Sequence, residues 1–336
     1  MSCSRTTRFL TLVVLLLALT GFLSETAWAR PKHVIFIRYP IAPAHFTDVI
    51  TEFKTAMTLR GFIEGQHVEY TDILTKTANQ DSIPEVQAAV ERYRDEADMF
   101  ITCGWVSMPV REILKTTTVP QLFVPVLESV ALEMLPSLNT PPGTNISGIY
   151  LMYPPEKILR IARLIMPESR RYAYVYDSRI PADQVFKKAY DNLSSEERHG
   201  FTISFPDLAD SVTAVIRQLQ EEKIEAYGGI VGSFKNHESL LASGVPVVTA
   251  LTLDIDRGSI KDYVGYDIIA GLFNPFGFCG TQAAAMTADI FDEKKTIAQT
   301  LPQQARQVSF INLKAARKRN LPISFDALEA VDIIVK

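Results

Sequence analysis

Cysteine is scarce in this chain, which excludes a fold built on disulfide bridges. The 336 residues include only three cysteines, Cys3, Cys103 and Cys279. Because Cys3 lies in an apolar leader, the rest of the chain can form at most one bridge. A chain of this length buries enough apolar surface to fold without one. Three interpretations stay open for Cys103 and Cys279: two buried thiols, one disulfide, or a functional pair.

The chain also lacks an excess of positive charge. It has 34 lysines and arginines against 38 aspartates and glutamates, a formal net charge of −4, and no basic run. Neutralisation of phosphates by basic side chains supplies most of the affinity of nucleic-acid-binding proteins. We therefore do not expect a nucleic-acid partner.

The usual motifs of catalysis and metal binding are missing as well. The five histidines show no metal-ligand spacing, and the chain contains neither HExxH nor Cys-x-x-Cys. It has no GxSxG elbow and no phosphate-binding Walker loop, and the glycines of 228–232 do not match the dinucleotide fingerprint. The sequence thus predicts no catalytic residue, no metal and no cofactor.

The first 29 residues have the three parts of a secretory signal peptide. Arg5 and Arg8 precede an apolar run over residues 9–23, and Ala27-Trp28-Ala29 provides a small-x-small cleavage site. The run is shorter than the roughly 20 residues that a membrane-spanning helix needs. We expect cleavage after Ala29 and a soluble periplasmic protein.

The remaining chain alternates between strand and helix patterns. Strands are predicted at 33–37, 68–73, 99–103 and 119–126, since each is a short apolar or β-branched run. Helices are predicted between them, one with apolar residues at helical spacing, namely Phe46, Val49, Ile50, Phe53 and Met57. Such alternation is typical of parallel sheets covered by helices.

A proline- and glycine-rich stretch at 135–148 interrupts this rhythm and is interpreted as a loop that passes between domains. After it a helix is predicted at 155–166, strands at 172–176, 201–205, 229–231 and 246–250, and helices from about Ala182 and Ser211. A second broken loop at 273–280 precedes a helix at 281–291. The patterns therefore predict the α/β fold class, with two domains of parallel strands.

Ligands of open parallel sheets bind beyond the carboxyl ends of the strands, which selects the candidate binding residues. These are Tyr39, Trp105, Val106, Ser107, Glu128, Ser129, Asp177, Arg179, Ser233, Phe234, Thr252 and Asp254.

Several of these residues have a structural alternative. Trp105 either stacks on a ligand or packs in the core or between lobes. Arg179 either binds a carboxylate in bidentate fashion or is a solvated surface residue. Glu128 either receives an ammonium group or caps the helix after it. Ser107 and Ser129 are expected to be helix N-caps.

Four local patterns, in order, resemble the substrate-binding proteins of ABC transporters, whose known members include receptors for aromatic amino acids. They are GFIEGQHV at 61–68, PGTNISG at 142–148, IMP at 165–167, and NLKAAR at 312–317 with LPI at 321–323. The last is similar to the family's closing "NLKTAKxLGLxIP" sequence. The resemblance extends over essentially the whole chain after the leader.

The resemblance implies a type I periplasmic-binding fold, with two Rossmann-like lobes of parallel strands joined by a multi-strand hinge. In such a fold a ligand is trapped by hinge closure between the lobes and delivered to a membrane permease. The lobes are expected at 30–147 plus about 276–305, and at 148–275 plus about 306–336, with the hinge near 145–150, 273–278 and 303–309. The residues after the strands depart from the family pattern. The family usually has a small residue with Thr-Pro where this chain has Gly104-Trp105-Val106-Ser107, and Asp-Pro where it has Glu128-Ser129. Asp177-Ser178-Arg179 stands where an Asn-Pro-Ser turn is common, so the family's usual ligand cannot simply be transferred.

The sequence therefore predicts the monomeric binding component of an ABC uptake transporter, with an inner-membrane permease as partner. Its ligand is a small organic molecule, with a hydrophobic or aromatic amino acid as the first hypothesis. One alternative is a sensory receptor that passes ligand occupancy to a signalling partner. The other is a two-cysteine racemase-like enzyme that uses Cys103 and Cys279.

Overall fold

The computed structural model describes residues 30–40, 43–77, 80–251 and 267–336. Within these ranges the chain forms two β-sheets and the helices that cover them. The predicted signal peptide and two candidate ligand residues, Thr252 and Asp254, lie outside the described residues.

Among the described residues, the first sheet has six strands, and all its neighbouring strands are parallel. They are β1 (Lys32–Arg38), β2 (Val68–Leu74), β3 (Met99–Thr102), β4 (Gln121–Leu127), β5 (Ile146–Leu151) and β11 (Gln303–Gln304). Their order across the sheet is β11-β5-β4-β3-β1-β2.

Helices from two parts of the chain cover this sheet and form the first lobe with it. They are α1 (Pro43–Leu59), α2 (Ile83–Tyr93), α3 (Ser107–Leu114), α4 (Glu128–Met134) and, much later in the chain, α10 (Phe276–Phe291). Helix α10 packs along α1 and also contacts β4 and β5. The five apolar residues predicted to share one face of α1 are all buried, as expected.

The second sheet contains seven described strands, all parallel to their neighbours except at one pair. They are β6 (Arg171–Tyr174), β7 (Thr202–Ser204), β8 (Ala226–Gly228), β9 (Val247–Leu251), β10 (Ile268–Phe273), β12 (Val308–Asn312) and β13 (Ile333–Val335). Their order is β13-β12-β10-β9-β8-β6-β7, and β12 runs antiparallel to β10.

The helices of the second lobe lie mainly between these strands in sequence. They are α5 (Pro155–Ile165), α6 (Pro181–Asp191), α7 (Val212–Glu221), α8 (Gly232–Lys235), α9 (His237–Leu240), α11 (Leu313–Lys318) and α12 (Phe325–Glu329). Helix α5 contacts β9 and β10, which assigns it to this lobe.

The central strands are covered on both faces. Every residue of β3, β5 and β10 is buried, although consecutive residues of a strand point to opposite sides of the sheet. This burial explains their continuous apolar composition. The α/β fold class with two lobes of mostly parallel strands is confirmed.

The described chain passes between the lobes three times, at residues 152–154, 274–275 and 305–307. The first passage comes after β5, a few residues beyond the expected boundary between 147 and 148. The interpretation of 135–148 as an interdomain passage is wrong, because Leu135 and Leu138 are buried in the first lobe and 146–151 continue its sheet.

Two local predictions are displaced in the structure. The strand expected at 229–231 is β8, at Ala226–Gly228, and the residues after it turn into α8. The loop expected at 273–280 already contains the start of α10, because Pro275 serves as the N-cap of that helix. None of the helices within the described ranges is long and apolar enough to cross a membrane.

The contact between α1 and α10 predicts different effects for two glycines of α10. A Cβ on Gly280 would lie 2.1 Å from the carbonyl oxygen of Val49, whereas one on Gly277 would meet only the Glu52 side chain, at 3.0 Å. Gly280→Ala should therefore lower the free energy of unfolding by about 1–3 kcal/mol, through overpacking against backbone. Gly277→Ala, its control, should be neutral or stabilising by up to about 1 kcal/mol. Equal urea midpoints for the two variants would contradict this packing.

Candidate functional site

The direction of the strands brings the loops of both lobes to a common edge. Strands β5, β10 and β11 each lead, at their carboxyl ends, directly into a passage between lobes. Because the neighbours of these strands run parallel to them, apart from β12 beside β10, the carboxyl ends of most strands in both sheets face the passages. We call this side of the molecule the cleft edge, formed by residues 39, 104–105, 128–129, 177–180 and 229–234.

Aromatic rings form a connected row on the first-lobe side of the cleft edge. The ring of Tyr39 lies 5.9 Å from that of Trp105 and 5.2 Å from that of Phe46, between centroids. Phe46 in turn stacks on Phe276, the first residue of α10, at 6.1 Å. The row thus reaches from the end of β1 to the second passage.

Tyr39 is held close to the turn after β3. A Cβ on Gly104, whose φ is +63°, would lie 2.7 Å from the Tyr39 ring and hydroxyl. Burial raises the pKa of Tyr39 to about 12, although the backbone N–H of Trp105 donates to its oxygen. Glycine is therefore required at 104 both for its backbone conformation and for the approach of the ring.

Trp105 combines features of both sequence-based interpretations. Its ring is partly buried and packs against the core beside Tyr39. Its indole Nε1, however, is buried without a hydrogen-bond acceptor among the described residues. An unsatisfied buried donor of this kind costs about 1–3 kcal/mol, which makes Trp105 the notable residue of this half of the site.

The next two candidates, Val106 and Ser107, belong to the core. Both are fully buried, and the Ser107 hydroxyl donates to the carbonyl oxygen of Thr102. The N-cap of α3 is Val106, so the expectation that Ser107 caps this helix is wrong. The preceding 3₁₀ turn, Gly104–Val106, runs directly into α3 and leaves no cap position for a serine side chain.

Glu128 is the first residue of α4 and does not cap it. The N-cap is Leu127 and makes no side-chain bond, so the cap interpretation is wrong for Glu128 and Ser129 alike. Glu128 is partly buried, and burial raises its pKa. Burial of Tyr150 raises the pKa of that tyrosine, and the nearby charge of Glu128 raises it further. No described lysine or arginine forms an ion pair with Glu128.

On the second-lobe side, Arg179 is already paired. Its Nε and Nη2 donate to the two carboxylate oxygens of Asp177, at 2.8 and 2.7 Å, and its backbone N–H donates to the same group at 3.0 Å. These bonds lower the pKa of Asp177. Because the guanidinium fork is occupied, the structure favours a largely solvated Arg179, 67% exposed, over a free carboxylate-binding group.

Asp183, near the start of α6, was not selected from the sequence. It is fully buried, and its carboxylate accepts from the backbone N–H groups of Asp177, Val231 and Gly232, at 3.0, 2.9 and 2.8 Å. Burial raises its pKa, and the three bonds oppose that shift. Asp183 thereby fixes the loops after β6 and β8 to each other. Its position two residues after Pro181, in a first helical turn, was the available signal.

Ser233 and Phe234 lie in the short helix α8 at this edge. Ser233 is buried, and the ring of Phe234 stacks beside His237 at 6.4 Å between centroids. Both therefore lie at the predicted edge, beyond the carboxyl end of β8, although the buried side chain of Ser233 exposes little surface to a ligand.

Two cavities open elsewhere on the described surface. One of about 480 Å³ lies beside the first passage and is lined by Pro154, Pro155, Glu156, Leu193, Glu196, Glu197 and His199. The other, of about 380 Å³, is lined by Arg30, Pro31, His33, Glu69, Asp95 and Glu96. No group of three or more potential metal ligands occurs in the described parts of the chain.

Within the described residues, Cys103 and Cys279 are buried and form no disulfide, which selects the thiol interpretation. Cys103 has no exposed surface, and burial, followed by the nearby Asp72 charge, raises its pKa far above that of an ordinary thiol. A thiolate nucleophile is strongly disfavoured in such surroundings.

Comparisons with known proteins identify the fold. No protein-family model matches the chain, and no curated protein matches it in sequence. Among solved structures, a ligand-free, open substrate-binding protein with adhesive properties from Clostridium difficile has a TM-score of 0.72 at 16% identity, covering 91% of this chain and 99% of that one. An ABC domain from Streptococcus pneumonia, in complex with L-Trp, has a TM-score of 0.71 at 12% identity, covering 91% and 100%.

The same architecture also occurs in other classes of protein. A LacI-type transcriptional regulator from Bacteroides fragilis has a TM-score of 0.60 at 10% identity, covering 86% of this chain and 99% of that one. At such identities the likeness shows the fold alone. The chain thus has the type I periplasmic-binding fold that its sequence patterns imply.

The bonds of Asp183 predict a local and measurable effect of its loss. Asp183→Ala should lower the free energy of unfolding by about 1–3 kcal/mol for each N–H left without an acceptor. It should also accelerate hydrogen exchange at the amides of Val231 and Gly232. The matched control is Asp210→Ala, at an exposed position of the same lobe. Unchanged exchange at both amides would show that Asp183 does not fix these loops.

Proposed function

We propose that this protein is the periplasmic solute-binding component of an ABC uptake transporter and binds a small organic ligand at the cleft edge. The observation that supports this most is the arrangement of the loops. Both lobes present their strand-end residues on the side of the three passages, where a ligand can touch both lobes at once. The secretory leader and the permease partner implied by the sequence patterns agree with this role.

A hydrophobic or aromatic amino acid is the first hypothesis for the ligand. The exposed part of Trp105, backed by Tyr39, offers a flat apolar surface of the kind on which aromatic side chains stack. The complex of the Streptococcus pneumonia domain with L-Trp supports the same class of ligand for this chain.

Ligand capture would close the lobes about the three passages, which are linked to one another. Gln307 donates to the carbonyl oxygen of Met152 at 2.8 Å, and Asn274 donates to that of Arg306 at 2.7 Å. The guanidinium of Arg306 also lies 4.6 Å from the ring centre of Phe278. Because these bonds join all three passages, we expect the passages to bend as one hinge when a ligand stabilises the closed state.

The two alternative functions, a two-cysteine enzyme and a sensory receptor, have less support. A two-cysteine enzyme needs accessible thiolates, whereas Cys103 and Cys279 are fully buried, so we propose a binding protein without catalytic activity. A sensory receptor has the same ligand chemistry, and the LacI-type regulator shares the fold. The predicted signal peptide disfavours an intracellular regulator. Co-purification of the protein with a permease would distinguish a transport role from a sensory one.

The leader gives the first prediction of this proposal. When the full chain is expressed in a Gram-negative host, the protein recovered from the periplasm should have the mass of a chain that begins at Arg30. A full-length mass, or retention in the cytoplasm, would remove the basis for a periplasmic role.

The ligand hypothesis predicts a thermal shift that depends on Trp105. In a screen of amino acids, a cognate ligand at a hundredfold excess over its Kd should stabilise the protein by about 2.7 kcal/mol. Trp105→Ala should weaken binding about tenfold or more if the ring contacts the ligand. Phe325→Ala, at an aromatic residue that is 70% exposed, is the control and should bind normally. No stabilisation by any amino acid at millimolar concentration would contradict the amino-acid assignment.

A further inference from the structure

The third passage between the lobes leaves little backbone free to turn. Ala305 still belongs to the first lobe, since its N–H donates to the carbonyl oxygen of Tyr150 at 2.8 Å. Val308 already belongs to the second lobe, as the first residue of β12. Arg306 and Gln307 alone lie between them. Along this passage, a rotation of one lobe against the other must therefore change the backbone dihedrals of these two residues.

Arg306 is held at both of its backbone dihedrals. Its guanidinium lies 4.6 Å from the ring centre of Phe278, in the first turn of α10 of the first lobe. Its carbonyl oxygen accepts from the side-chain N–H of Asn274, in the second passage, at 2.7 Å. A change in φ would displace the guanidinium from the ring, and a change in ψ would turn the carbonyl group away from Asn274.

The next residue, Gln307, is tied in the opposite direction. Its side-chain oxygen accepts from Nζ of Lys157, in α5 of the second lobe, at 3.3 Å, and its side-chain N–H donates to Met152 of the first passage. The side chain of Arg306 thus contacts the first lobe, and that of Gln307 contacts the second. The two sets of contacts meet at the peptide bond between these residues.

A negative charge of the second lobe also lies near Arg306. Asp332, just before β13, accepts from the backbone N–H and the hydroxyl of Ser309, both at 2.7 Å. These bonds lower the pKa of Asp332, and the charge of Arg306 lowers it further. Arg306 therefore lies on a ring of the first lobe and within the field of a carboxylate of the second.

The contact between Arg306 and Phe278 is weak enough to be released. Phe278 is 45% exposed, and Arg306 is exposed as well. A cation on an aromatic ring at an exposed site changes an equilibrium only about two- to fivefold. A ligand that touches both lobes can outweigh a contact of this size, whereas the empty protein is biased by it.

We propose that Arg306 is a hinge latch, whose contact with Phe278 holds the ligand-free protein in the described arrangement of lobes and is given up when the lobes rotate. This inference goes beyond ligand recognition, because it concerns the equilibrium between lobe arrangements before any ligand binds. It applies to a transport component and to a sensory receptor alike.

The lobe arrangement can be measured between two spin labels, one on each lobe. The labels are attached through Gln87→Cys on α2 and Gln220→Cys on α7, both at exposed positions. The native Cys103 and Cys279 have no exposed surface, so they should not react with the label. Pulsed electron spin resonance on the ligand-free protein then gives the distribution of distances between the labels.

Loss of the latch should redistribute these distances. Arg306→Gln should lower the ratio of the original distance to all other distances about two- to fivefold. Phe278→Leu should have the same effect, and the double variant should show no further change, because either substitution removes the whole contact. Arg306→Lys, which keeps a cation able to lie on the ring, should retain most of the original distribution.

The matched control is a guanidinium that lies on a ring away from the hinge. Arg92 lies 5.0 Å from the ring centre of Tyr93 within α2, and Arg92→Gln should leave the distribution unchanged. An unchanged distribution in Arg306→Gln would overturn the latch. So would an effect of the same size in Arg92→Gln, or a shift in Arg306→Gln that Phe278→Leu does not share. Because no ligand is present, failure of the latch leaves the proposed binding function to be tested separately by the amino-acid screen.

Discussion

The common direction of the strands is the constraint on which the rest of this structure depends. All neighbouring described strands are parallel except β10 and β12, so most strands of each sheet have their carboxyl ends, and the loops that follow them, at one edge. The three passages begin at those same ends, which brings the loops of the two lobes to one side of the molecule. Ligands of open parallel sheets bind at such an edge, so the topology alone selects the region of the candidate site.

The two halves of the cleft edge differ in how well their polar groups are satisfied. In the second lobe, Asp183 fixes two loops through three backbone bonds, and Arg179 neutralises Asp177. In the first lobe, Glu128 and the indole of Trp105 have no partner among the described residues. The described loops of the second lobe are therefore fixed by polar contacts that Glu128 and Trp105 of the first lobe do not make.

The fold was largely predictable from the sequence, and the chemistry of the site only partly. Continuous apolar runs identified most strands, and helical spacing identified the buried face of α1, because burial controls both patterns. The first passage was misplaced, because the prolines and glycines around 141–148 only precede β5, whose residues then continue the sheet. The pairing of Arg179 with Asp177 and the three bonds of Asp183 depend on loop conformation, for which residue spacing gives little signal. Strand-end position correctly brought Trp105 and Glu128 to one edge, but burial decided against Val106 and Ser107.

The most direct test of this account is a crystal structure of the protein with the amino acid that stabilises it most. The account predicts that the ligand lies between the lobes, at the cleft edge, with its side chain against Trp105. A ligand in the cavity beside Pro154 and His199, or one between the lobes without contact to Trp105, would contradict it.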